Sequence, residues 1–245
     1  MPVSPHVVEE FGERLAALGW VSDLFVGGSL ATGDYVPGVS DLDLVAIADG
    51  TVDAARQTVL AGLHRWLDRG IGSNFKLGCV YVDRAQILDL PARHPTWTHG
   101  SLVQRPLSGV ARAELVRHGY VVFGRTPDDV LPAVSDDDVR EAARAEVAGY
   151  WAWAVRRPWL WLVPEFADLG LTSMARGRYA VASGRLLTKT SAVELAAAPP
   201  WLIDQLRDRR HGLGIRSPRG RTALIAWRDA RRTVASVQPG LSPSR

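Results

Sequence analysis

Two short segments have residue types and spacing suited to chemistry. They are Gly27-Gly28-Ser29 and, twelve residues past that serine, Asp41-Leu42-Asp43. The glycines follow Leu24-Phe25-Val26, an apolar run that reads as a short buried strand. A glycine pair there lets the backbone turn tightly and bring N–H groups close to an anion. Ser29 adds a hydroxyl, and the next residues can open a short helix whose N-terminus favours phosphate. Asp41 and Asp43 are two apart, so on a strand they project side by side while Leu42 and Leu44 turn into the core. Two ionised carboxylates at that distance repel unless a cation or a proton lies between them. Mg²⁺ is the natural partner, because it prefers oxygen ligands and shares them with substrate phosphates. Singly, each half has a plain structural reading: a turn after a strand, and solvated acids at a strand end.

The two halves together, with Ser40 just before the first aspartate, resemble the signature of the nucleotidyltransferase superfamily that includes DNA polymerase β and the aminoglycoside nucleotidyltransferases. The resemblance implies that Gly28, Ser29 and Ser40 hold phosphates of a nucleoside triphosphate and that Asp41 and Asp43 hold Mg²⁺. An acceptor hydroxyl then attacks the α-phosphorus. Further on, Leu171 to Arg176, Tyr179 and Ser183-Gly184-Arg185-Leu186-Leu187-Thr188-Lys189 look like the C-terminal domain of the streptomycin/spectinomycin adenylyltransferases. That likeness, looser than the first, implies that Arg176 and Lys189, with Arg185 as a weaker candidate, meet the triphosphate across a cleft. A polyanion beside two carboxylates needs such cationic help. The order of elements matches over roughly residues 10–235.

One departure stands out. Family members carry a glutamate on the third strand, beside the aspartate pair, as base for the attacking hydroxyl. Here Leu77 is expected at that position. Asp83 is six residues further along, about 20 Å at about 3.3 Å per residue, and Asp89 lies in an irregular segment. Loss of a general base lowers rates by about 10²–10⁴-fold. The expected function is therefore Mg²⁺-dependent transfer of AMP from ATP to a hydroxyl of a small molecule, an aminoglycoside being one acceptor. The alternative is a nucleotide-binding protein with impaired catalysis. For a polycationic acceptor, Glu165 and Asp168 are the first candidates, ahead of Glu146 and Glu141. Trp151, Trp153, Trp159 and Trp161 are read first as core packing and second as stacking surfaces.

The remaining elements must position these residues. Apolar spacing predicts helices over 5–18 and 52–67, a third strand over 74–83, a helix over 110–118 and a short strand from Tyr120. Residues 84–106, with Pro91, Pro95 and Pro106, read as irregular, and 125–135 as a linker. Beyond it the pattern is helical: 136–156, opened by Ser135 as N-cap, then 169–183, 191–198, 200–209 and 221–237, with a frayed tail from Gln238. The fold class is α+β, with a nucleotidyltransferase mixed sheet over 1–125 and a helical bundle domain over 135–237.

Composition sets the outer bounds. The chain has 245 residues, 47% of them hydrophobic, so a packed core is expected. Cys79 is the only cysteine, which excludes an internal disulfide and a cysteine-based zinc site. With neither a signal-peptide pattern nor a long apolar run, a cytoplasmic protein without a membrane partner is expected. The scattered histidines lack metal-ligand spacing. Net charge is +3, yet arginines crowd the C-terminal part from Arg207 to Arg232. No nucleic-acid motif accompanies them, so a nucleic-acid partner is not expected, and a monomer is.

Overall fold

The computed structural model describes residues 5–237. The chain divides into two compact units, with the division between Val134 and Ser135. The proposed tail from Gln238 lies outside the described residues.

The first unit opens with α1 (His6–Ala16) and β1 (Val21–Val26). A single turn of helix, α2 (Gly28–Ala31), separates β1 from β2 (Leu42–Ala48). The long α3 (Ala54–Arg69) begins at Asp53, whose carboxylate accepts from the Arg56 N–H, and ends at Gly70. β3 (Leu77–Asp83), β4 (Arg93–Thr98) and β5 (Ser101–Pro106) follow, then α4 (Gly109–His118), β6 (Tyr120–Phe123) and α5 (Pro127–Val130). The sheet runs β5-β4-β3-β2-β1-β6. Among the described strands only β2 and β3 pair in parallel, and α3 is the crossover such a pair requires.

Alternation along β2 and β3 sends two sets of side chains to opposite faces. Leu42, Leu44, Leu77, Cys79 and Tyr81 pack with Val8, Phe11 and Leu15 of α1 and Leu60 and Leu67 of α3. Val45, Ile47 and Val82 join Phe25, Leu107, Leu115 and Leu131 in a second cluster. Leu131 belongs to the segment read as a linker. So does Arg125, whose backbone N–H and guanidinium both bond Asp23. That segment is therefore fastened to the sheet.

Residues 84–106 are not irregular throughout: β4 and β5 form a tight hairpin. Its prolines had pointed the other way. Pro95 lies beyond the stretch of β4 that pairs with β3, and Pro106 ends the edge strand, so neither removes a required ladder hydrogen bond.

The second unit is helical: α6 (Asp136–Glu146), α7 (Ala152–Val155), α8 (Pro164–Ser183), α9 (Lys189–Glu194), α10 (Pro200–Arg210) and α11 (Arg219–Val237). Ser135 and Asp138 form a capping box at the start of α6. A π-helical turn at Val147–Trp151 separates α6 from α7, so the long helix predicted over 136–156 changes its winding midway. Gly184, with φ of 71°, ends α8. Trp151 and Trp161 are buried in this unit's core with Leu171 and Met174, whereas Trp153 and Trp159 are exposed. No described helix is long and apolar enough to cross a membrane. The whole is an α+β arrangement, a six-stranded mixed sheet followed by helices.

Candidate active site

The glycine turn and the aspartate pair meet in the first unit. Antiparallel pairing of β1 with β2 sets Val26 opposite Leu44, and the Gly27 N–H donates to the Asp43 carbonyl at 2.8 Å. Gly28 then enters the left-handed region with φ of 57°, which favours glycine. Space demands glycine there as well. A Cβ on Gly28 would overlap Asp43 Oδ2 and lie 2.9 Å from its Cγ. The bend and the Asp43 carboxylate are thus in direct apposition.

Ser29 is buried, and its Oγ has no hydrogen-bond partner among the described residues. An unmet buried hydroxyl costs roughly 1–3 kcal/mol, so it points to a ligand group that completes it. Ser40 is also buried. Its Oγ accepts the Val36 N–H at 3.0 Å and its own N–H donates to the Val36 carbonyl at 2.9 Å, closing the loop that delivers Asp41. Tyr35, not singled out in the sequence, lies near Asp41. Burial, and then the Asp41 charge, raise its phenol above the usual value. Asp41 is half-buried and Asp43 exposed.

Both aspartates line a recess of about 270 Å³ at the edge where β2 and β3 begin. That is near the lower end of the ~300–1,000 Å³ typical of small-molecule sites. Asp68, from the last turn of α3, lines it too, with Lys76, Trp97 and His99. Burial raises the Asp68 carboxyl above the usual range, and the Trp97 ring N–H works in the opposite sense. Sequence reasoning missed Asp68 because a lone acid in a helix carries no motif; only the crossover of α3 brings it to this edge. His99 is the only described non-glycine residue with positive φ, 49°, in the β4–β5 turn.

The register corrects the placement of the missing third carboxylate. In the β2–β3 ladder Leu42 is opposite Leu77, and both are buried on the α1/α3 face. Asp43 is opposite Gly78. The strand position beside the aspartate pair is therefore Gly78, which has no side chain, rather than Leu77. Asp83 is opposite Ala48, five residues along, where its carboxylate accepts from the Thr51 hydroxyl and the Ala85 N–H.

Among the described residues, no group of three or more His, Cys, Asp and Glu is arranged to hold a metal. Two carboxylates on one strand face, an unmet serine hydroxyl and a bend that excludes a Cβ do fit a cation bound jointly with a polyphosphate.

The other predicted site residues belong to the second unit. The Arg176 Nε donates to the Leu187 carbonyl at 2.8 Å, which ties α8 to the segment carrying Lys189, the first residue of α9. Arg185 is exposed. Glu165 is exposed in the first turn of α8. Asp168 is engaged: Arg209 reaches both its oxygens, at 2.6 and 2.9 Å.

Residues 7–81 match the family model of the nucleotidyltransferase domain. The fold is similar to that of spectinomycin adenyltransferase AAD(9) from Enterococcus faecialis, solved with ATP and spectinomycin. The TM-score is 0.71 and the identity 14%, covering 91% of this chain and 98% of the other. Curated protein sequences give no match. The domain match thus covers the segment that carries the glycine turn and the aspartate pair, and the fold likeness extends over most of the chain.

Proposed function

We propose that this protein transfers AMP from ATP to a hydroxyl of a small molecule. The observation that carries the reading is the apposition of Asp43 and Gly28. It supports the reading because an acid suited to a cation lies against a turn suited to a phosphate, within the segment that matches the nucleotidyltransferase domain. Asp41 and Asp43 would hold Mg²⁺, which when bound screens the triphosphate charge and polarises the α-phosphoryl group. Gly28 leaves room for phosphate oxygens beside Asp43, and the Ser29 hydroxyl donates to one of them. Ser40 keeps the loop closed so that Asp41 stays on the same strand face as Asp43. By resemblance, Arg176, Arg185 and Lys189 are proposed as phosphate-binding cations of the helical unit; a weaker affinity for ATP in Arg176→Ala is the expected sign.

An amino-sugar acceptor is proposed because the structural neighbour was solved with spectinomycin. Of the two acids considered first for it, Glu165 is the better placed, since Asp168 is occupied by Arg209. The protein is proposed to act as a monomer in the cytoplasm. Incubation with labelled ATP, Mg²⁺ and a panel of amino-sugars, followed by mass analysis, tests the reading: a gain of one AMP is expected. Asp43→Asn should fold normally and abolish transfer, and unchanged turnover in that variant would refute the assignment.

A second reading has its own observation. Gly78 leaves the position beside Asp43 without a carboxylate, which favours a protein that binds Mg·ATP and transfers slowly. Calorimetry separates the two: nucleotide binding without transfer to any acceptor favours the second.

A further inference from the structure

Among the arginines that crowd the C-terminal part, those of α10 and those near the end of α11 differ in the structure. Those of α10 serve the fold. Arg207 bonds Glu194 and Asp204, Arg209 bonds Asp168 and Ser217, and Arg210 bonds Thr190. Arg228, Arg231 and Arg232 of α11 are exposed instead, and all three line a groove of about 820 Å³ on the helical unit. Its other wall is Ala197, Ala198 and Pro199, between α9 and α10, with Ile225 and Ala235 along α11. No carboxylate is among the described lining residues.

Helical geometry explains the convergence. Residues 228, 231 and 232 are three and four apart, so their side chains share one face within about 6 Å of axial rise. Of the three, Arg231 is held against a ring. The Arg231 guanidinium lies 4.8 Å from the Trp227 ring centroid, and the Trp227 N–H is fixed on the Val155 carbonyl at 2.9 Å. Arg232 acts electrostatically on the buried Asp229, whose own hydrogen-bonding partner is Arg178. Three like-charged guanidinium groups at this spacing on one helix face disfavour one another in the absence of a shared anion. Their planar forks match phosphate oxygens in pairs. The volume falls in the range of small-molecule sites, and the apolar wall suits an uncharged remainder.

We propose that this groove is a second binding site, distinct from the aspartate recess, for a small ligand carrying two or more phosphate groups. It calls for neither the acids nor the cation of the transfer reaction.

The test uses the whole protein and inorganic triphosphate as probe, in calorimetry with a chelator present so that the Mg²⁺-dependent site is silent. One triphosphate per chain should bind, more weakly as salt rises. Arg228→Ala/Arg232→Ala should weaken binding at least tenfold, while its thermal unfolding midpoint stays that of the wild type as evidence of a folded chain. Asp43→Asn should bind triphosphate like the wild type, which separates this site from the proposed transfer site. The proposal is overturned if triphosphate fails to bind, if the double arginine variant binds it unchanged, or if Asp43→Asn abolishes it. Preference for a single-stranded RNA oligomer over triphosphate, lost in the same double variant, would also overturn it in favour of a nucleic-acid surface.

Discussion

At Gly78 the strand beside the aspartate pair presents only backbone, and the surroundings would accept more. A Cβ there would sit 3.4 Å from the Trp97 carbonyl oxygen and 3.9 Å from that of Leu42, ordinary contact distances. Gly78→Glu should therefore fold, and it would set a carboxylate next to Asp43 on the same face. If the chain lacks only a proton acceptor, turnover in the labelled-ATP assay should rise by about 10²-fold or more. Leu77→Glu would instead bury a charge among α1 and α3 and should destabilise the first unit. The pair of variants thus checks the register as well as the chemistry. How much of the site could be read in advance varies by residue. Asp41, Asp43 and Gly28 were legible because alternation and turn geometry are local rules. The face on which Leu77 lies was not, because it depends on how β3 slides against β2, and a shift of one residue inverts every side chain.

Among the elements, β1 and its edge partner β6 hold the clearest electrostatic device. Asp23 is 1% exposed on β1. Burial alone would push its carboxyl up, but the Arg125 side chain and backbone N–H, with the Ser22 hydroxyl, outweigh burial and hold it at about 2. A carboxyl depressed in the folded state contributes stability above its unfolded value of 3.8, and that contribution is lost as pH falls towards 2. Arg84 also reaches the Asp23 carboxylate, at 3.5 Å, and because it and Arg125 are well exposed, screening limits the contribution to roughly 1–2 kcal/mol. Asp23→Asn should lower stability at neutral pH and flatten the loss between about pH 4 and 2; urea unfolding across that range measures both. This network had no sequence signature, since its members are 102 residues apart. The β4–β5 hairpin was hidden differently: its prolines are breakers in general but sit where the ladder demands nothing of them.

Across the whole molecule, the division at Val134 leaves each unit with a core of its own. Leu171, fully buried on α8, belongs only to the second. Leu171→Ala should cost about 2–5 kcal/mol there. Hydrogen exchange should show lost protection in residues 135–237 while β1, β2 and β3 keep theirs, and uniform loss across the chain would argue against separate cores. This two-part organisation was visible in the sequence as a change from mixed to purely helical patterning. The Arg228 groove was not, because composition alone does not separate arginines that bind acids from those that face a groove.

The single thiol offers a practical opening. Cys79 is sealed in the sheet at 1% exposure, and burial lifts it to about 12, so at neutral pH it resists alkylating reagents. A cysteine installed at Ser73, on the recess wall and exposed, would then be the one handle available for a fluorescent reporter. Occupancy could be watched in real time, in an otherwise unaltered background, before any acceptor has been identified.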